Sequence, residues 1–244
     1  MKHFLIIITL VWSNLSIGQV ATLMYVEVSN DNQSRFEKLE KDYWSQIAKK
    51  GIEEGKMIAW GMLKEVSVPG VHRYVFVNLY KDLNQLTNGS SIWNPEVIGM
   101  NFEDIDTNAI KTILKVDYHQ LEGEIVGDMK YVIHNHASPN DLEGFVTENL
   151  ELWKPWFEDN MKKNRTTQKN WGIATKIYPS GDQAGSTAMT RDGFENLADA
   201  MNALRYKPEN NSTYAAILAK SKMSDYLPNG FDKRVIYESL MWVN

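Results

Sequence analysis

Along the chain the apolar positions switch between strand-like and helical spacing, and the same series of switches occurs twice. Residues 22–28 are rich in β-formers and stop at Ser29-Asn-Asp-Asn, which predicts a first strand. From Ser34 the apolar side chains Phe36, Leu39, Tyr43, Ile47 and Ile52 recur at helical spacing, with Gly51 and Gly55 near the end, so a helix follows. Residues 56–66 and 72–80 return to strand composition on either side of Ser67-Val-Pro69-Gly70, the signature of a hairpin. Residues 83–99 carry Asn88-Gly89, Ser90-Ser91 and Asn94-Pro95, which favour a loop or a broken helix. Ile110, Ile113 and Leu114 then predict a helix over 106–115, and residues 118–126 a fourth strand. The first half therefore reads β-α-β-β-α-β.

Residues 129–136 open the second half as a copy of the first strand, with Tyr131-Val132 aligned on Tyr25-Val26. Pro139-Asn-Asp141 is a helix start, because Asn or Asp accepts hydrogen bonds from the first free backbone N–H groups. The helix it opens carries Phe145, Trp153, Trp156 and Phe157, and Phe145 and Trp153 have the spacing of Phe36 and Trp44. The plainest link between the halves is a Trp-Gly strand, Trp60-Gly61 within residues 56–64 and Trp171-Gly172 within 168–176. Pro179-Ser-Gly-Asp182 predicts the hairpin turn, residues 184–190 the third strand, 194–204 and 213–223 a helical region broken near Pro208, and 231–243 the last strand. Tyr237-Glu238 then lies where Leu121-Glu122 lies in the first half. With no low-complexity linker, two ferredoxin-like repeats, 19–127 and 128–244, are expected to form one compact body.

This order of elements, with its duplicated Tyr-Val, Phe/Trp and Trp-Gly features, resembles the dimeric α/β-barrel superfamily. The resemblance implies an α+β fold in which two antiparallel four-stranded sheets lie face to face as a barrel, here within one chain. Members of that superfamily include cofactor-free monooxygenases acting on polycyclic phenols, haem-degrading and haem-dependent enzymes, small isomerases and binding proteins. The fold alone does not choose among them. The haem branch needs an axial histidine, and none of the five histidines stands in a recognisable motif for one.

Composition narrows the picture. The 244 residues are 43% hydrophobic and 23% charged, enough for a sizeable core, and a net charge of -5 provides no basic footprint for nucleic acid. Lys2 and His3 precede an apolar run over 4–12 and small residues at Ser16 and Gly18, the three regions of a signal peptide cleaved near Gly18. That run is too short to span a bilayer. Residues 1–18 are therefore excluded from the fold, and a secreted or periplasmic protein with no transmembrane segment in its mature chain is expected. The absence of cysteine removes a lipoprotein anchor, a thiolate nucleophile and thiolate-ligated metals.

Candidate chemistry rests on few residues. His134 and His136 stand two apart on a strand and share a face, which suits a general base, a metal, or two side chains that merely meet solvent. Val28 and Asn30 take their places in the first half. Glu122 and Glu238 occupy matching positions and either approach each other across the interior, raising one pKa, or face water. Trp60 and Trp171 are candidate ligand contacts because the glycine after each permits close approach, whereas Trp44 and Trp153 read as core. Phosphate loops, nucleophile elbows and zinc helices are absent.

The reading that follows is an exported protein that binds an apolar or aromatic small molecule. If it turns that ligand over, the expected class is a cofactor-independent oxygenase or isomerase with His134 or His136 as base. No cofactor and no metal are predicted. One alternative is a haem or metal protein using a strand histidine; another is a non-catalytic envelope or glycan-interacting protein with an exposed patch around Trp93. Nothing in the sequence sets the oligomeric state.

Overall fold

The computed structural model describes residues 18–66, 68–88, 92–205 and 212–244, so all of the expected signal segment except Gly18, and the expected break near Pro208, lie outside the described residues. The first half runs β1 (Val20–Ser29), α1 (Gln33–Leu39), a π-helical turn (Glu40–Trp44), α2 (Ser45–Glu53), β2 (Ala59–Glu65), β3 (Val71–Tyr80), α3 (Leu83–Asn88), α4 (Phe102–Ile105) and β4 (Thr112–Ile125). The second runs β5 (Tyr131–Ala137), α5 (Leu142–Glu148), a π-helical turn (Asn149–Trp153), α6 (Lys154–Lys162), β6 (Gln168–Tyr178), β7 (Ala188–Phe194), α7 (Leu197–Leu204), α8 (Ser212–Leu218), α9 (Met223–Tyr226) and β8 (Lys233–Val243).

The strands close into one barrel in the order β1-β3-β2-β8-β5-β7-β6-β4, with every neighbour antiparallel. Each half supplies four adjacent strands, and the β2–β8 and β4–β6 ladders join the halves, so no strand edge is left open to pair with another chain. Strand alternation sorts the apolar residues into three layers. Leu23, Leu63, Val75, Val132, Met189 and Val235 fill the inside. Val26, Trp60, Met62 and Phe76 point outward against Phe36 and Ala48 of the first helices. Trp171, Ile173 and Ala188 point outward against Phe145 and Phe157 of the second.

In both halves the first helix is one continuous run interrupted by a π turn that starts on a buried polar residue, Glu40 or Asn149, and ends on a buried tryptophan, Trp44 or Trp153. Trp44 donates its indole N–H to the Ile105 carbonyl at 2.9 Å and Trp153 donates to Glu148 at 2.9 Å, so both rings are core with their polar edge satisfied. Asp141 caps α5 by accepting the Gly144 N–H at 2.9 Å, as the turn sequence before it predicts.

Three expectations change. The helix expected over 106–115 is a single turn, Asn108–Ile110, and Thr112 already begins β4. The ten residues of β1 offer a full ladder, and pairing Val26 with Ile113 and Tyr25 with Lys115 satisfies more backbone than three apolar residues at helical spacing can. The strand expected over 184–190 is Ala188–Phe194, because pairing with β5 and β6 puts Asp192 opposite both Ile133 and Trp171; the helix after it starts only at Leu197, capped by Asn196. The alignment of the two first strands also shifts. Trp60 lies opposite Asn78, and Asn78 opposite Thr22, while Trp171 lies opposite Asp192, and Asp192 opposite Ile133. Thr22 therefore matches Ile133, so Leu23 and Tyr25, not Val28 and Asn30, stand where His134 and His136 stand. Matching Tyr25 to Tyr131 puts the wrong face inward, since an odd slip along a strand exchanges its two sides.

Candidate functional site: the barrel lumen

The Trp-Gly strands acquire their meaning from the pleat. In each, the tryptophan points out beneath the helices, so the glycine that follows points into the barrel. Gly61 pairs with Trp242 and Gly172 with Glu124. Just before each of those partners the strand carries a bulge, with Leu240 the extra residue in β8 and Glu122 the extra residue in β4. A bulge advances the alternation by one, which aims Trp242 and Glu124 inward. A Cβ on Gly61 would overlap Cε3 and Cζ3 of the Trp242 indole, and a Cβ on Gly172 would sit 2.9 Å from Arg191 Nε. Both glycines are thus needed because a large side chain packs directly against the backbone.

The enclosed space is a cavity of about 690 Å³ within the barrel. It reaches solvent beside Val126, Asp128 and Asn244, which are exposed. Leu23, Leu63, Val77, Leu79 and Met189 supply apolar wall. The polar groups on it include His119, His134 and an ion pair between Arg191 and Glu124, whose guanidinium also donates from Nε to Asn170 Oδ1 at 3.1 Å.

His119 and His134 are 1% and 3% exposed, and His136 lies next along the inward face of β5. Burial in the lumen pushes the His119 and His136 imidazoles down to about 4 and His134 well below its ordinary value. Neighbouring positive charge adds to the shift at His136, where Lys115 and Lys233 contribute, while Asp117 opposes it at His119 and His136. All three rings are neutral at pH 7. Nδ1 of His119 and Nδ1 of His134 are buried without a hydrogen-bond partner among the described residues, as is the Tyr25 hydroxyl. The His134 ring packs 4.9 Å from that of Tyr237 and 6.4 Å from that of His136, and His136 Nδ1 lies 3.4 Å from Ser186 Oγ. Beyond them Asp117 is buried in ion pairs with Lys115 at 2.5 Å and Lys176 at 3.6 Å. Unprotonated imidazoles in an apolar wall can accept a proton or a hydrogen bond from a bound molecule.

His134 lines the cavity; His136 shares its face but is not part of the cavity wall. Glu122 and Glu238 are not brought together. Glu122 accepts a 2.6 Å hydrogen bond from Thr175 Oγ1 and Glu238 pairs with Lys130 at 3.4 Å, each outside the cavity. The bulge in β4 and outward alternation in β8 are the reason. Trp60 stacks on Phe76 with ring centroids 5.7 Å apart, and Trp171 on Phe157 at 5.8 Å; neither lines the cavity. Trp93 packs against Trp44 and Trp60 instead of forming an exposed patch. Sequence reasoning passed over His119, Arg191, Glu124 and Trp242 as site residues. A lone histidine in a strand and residues re-aimed by bulges leave no local pattern to find.

Among the described residues no group of three or more His, Asp or Glu is arranged to hold a metal ion. A histidine-ligated haem does not fit the residues present. The buried histidines all project into the lumen of an eight-stranded barrel, whose width suits side chains or one small ligand. The layer between the second sheet and its helices is filled by Phe157, Trp171 and a polar network in which Asn135 and Gln168 donate to Asp192 at 2.7 and 2.8 Å and Arg234 donates to Asn135 at 2.7 Å. Of the remaining described histidines, His72 is near Lys64 and Glu37 of the first half.

Comparison with solved structures gives the same architecture. A candidate monooxygenase from Fusobacterium nucleatum aligns over 93% of this chain and 95% of its own, with a TM-score of 0.58 at 11% identity. A chlorite dismutase from Candidatus Nitrospira defluvii aligns over 92% of both chains with a TM-score of 0.55 at 11% identity. The fold is the dimeric α/β barrel. An anthrone oxidase-like protein shares this barrel over 92% of both chains, with a TM-score of 0.51 at 9% identity. No protein-family model and no curated protein matches the sequence. The dimeric α/β barrel here has both of its sheets in one chain, and the β2–β8 and β4–β6 ladders close it.

Proposed function

We propose that the barrel lumen binds an apolar or aromatic small molecule and that His134 acts on it as a general base without a cofactor. The observation that carries this reading is an open cavity with a mainly apolar wall into which a buried, neutral His134 projects. A bound carbon acid presented to His134 would lose a proton to a ring nitrogen, and the anion left behind would be held by the Arg191 N–H groups on the same wall. Return of the proton to a different carbon makes the protein an isomerase; capture of the anion by dioxygen makes it a cofactor-independent oxygenase. The candidate monooxygenase and the anthrone oxidase-like protein that share the fold are consistent with this class.

The test is solvent deuterium incorporation into 2-tetralone, followed by nuclear magnetic resonance. Wild-type protein is expected to accelerate exchange at the carbon next to the carbonyl, and His134→Phe to lose about a hundredfold of that rate while binding persists. Because the His134 pKa lies well below its ordinary value, the base stays unprotonated and the rate holds level through about pH 6.5 instead of falling there. Exchange as fast in the variant as in the wild type removes His134 as the base. Export belongs to the same reading, on the pattern of residues 1–18. N-terminal sequencing of protein recovered from its source is expected to begin at Gln19, and an intact Met1 would count against export.

A further inference from the structure

We infer that Trp242 is the plate on which the lumen selects planar ligands, an assignment that rests on the lumen being the binding site. The duplicated Gly-and-bulge device exists in two versions on the cavity wall. In one, Gly172 faces Glu124 and the Arg191 guanidinium lies over the glycine, so that station is filled by an ion pair. In the other, Gly61 faces Trp242 and the Cε3–Cζ3 edge of the indole packs against the glycine. That edge of the ring is thus held against the β2 backbone. The side chain remains 44% exposed and lines the cavity near its opening. An exposed tryptophan beside solvent has no structural reason to be seated by its edge in this way, since a shorter side chain would leave Gly61 unnecessary. An aromatic ring anchored by one edge offers its flat face to a ring stacked upon it. Saturated, globular molecules of equal size gain only the burial of area. The Leu240 bulge is part of the device, because regular alternation from Ser239 would point Met241 inward in place of Trp242.

The experiment measures affinity for two ten-carbon alcohols, planar 2-naphthol and globular 1-adamantanol, by calorimetry on purified wild-type protein, Trp242→Leu and Trp242→Phe. Trp242→Leu is expected to raise the Kd of 2-naphthol about tenfold and to leave that of 1-adamantanol within about twofold; Trp242→Phe, with a smaller plate, falls between for the planar ligand alone. Gly61→Ala, which evicts the indole from its seat, is expected to reproduce the selective loss. Equal weakening of both alcohols assigns Trp242 a merely structural role and overturns the inference, as does unchanged affinity for both. Wild-type protein that binds neither alcohol overturns the lumen reading and this inference with it. The two failures are therefore distinguishable.

Discussion

Replacing Trp171 with alanine is expected to lower the unfolding free energy by about 3–5 kcal/mol while leaving the affinity of a lumenal ligand within about twofold. The indole is 1% exposed, stacks on Phe157 and belongs to the cluster that includes Phe145, Ile173 and Leu227. Its deletion would leave a large void under α6 that a closed barrel cannot collapse to fill. Alternation along β6 points it away from the cavity, whose wall in this strand includes Asn170, Gly172 and Ala174 but not Trp171. Denaturant unfolding and a binding titration on the same variant check both halves of the expectation. A tenfold loss of affinity with stability intact would move the ligand out of the lumen and into the helix–sheet layer. Trp60→Ala is the matching substitution in the first half and carries the same expectation.

The second large effect is acid sensitivity. In the unfolded chain each histidine takes up a proton near its ordinary pKa of about 6.5, whereas His119 and His136 in the fold resist protonation until about 4, and burial holds His134 well below its ordinary value. Between those limits the unfolded state binds more protons, so stability rises with pH and is lost as pH falls from about 6.5 towards 4. His119 and His136 each contribute on the order of 3 kcal/mol over that range, and His134 acts in the same direction.

Glu40 works in the opposite sense. Burial in the π turn, partly offset by Lys111 and by the Thr107 hydroxyl at 3.0 Å, raises its carboxyl to about 7. The fold therefore holds a proton there that the unfolded chain has released, and this contribution grows as pH falls from about 7 to about 4.5. Half-buried Asp192, also raised, pulls the same way. His119 and His136 against Glu40 leave a net loss of roughly 2 kcal/mol between pH 6.5 and 4.5, to which His134 adds and from which Asp192 subtracts. Glu40→Gln is expected to steepen that loss by about one proton's worth, since it removes a compensating group. Urea unfolding at the two pH values decides the matter: equal stability at both would mean that the histidines are hydrated in solution.

The two tryptophans and the three histidines show how far local pattern reaches. Period and turn chemistry alone placed β1, β2, β3, the first helix of each half and the repeated Trp-Gly strand, because these depend on residues within a few positions of one another. They also identified Trp44 and Trp153 as core and put His134 and His136 on one face. The short apolar run before β4 went the other way because backbone pairing with β1, more than eighty residues earlier, outweighed a weak helical spacing.

What the sequence determined by itself was therefore the duplicated α+β plan and the residues that alternate on each strand. Which side of each strand faces the lumen was decided only by tertiary structure. The pleat repeats every second residue, so a single bulge at Glu122 or Leu240 reverses every later side chain, and neither bulge has a compositional mark. Closure of the barrel then brought His119 of β4 into the same lumen as His134 of β5, with Arg191 and Trp242 on the same wall. Their burial, and with it their chemistry, exists only once the ring of strands has closed around them.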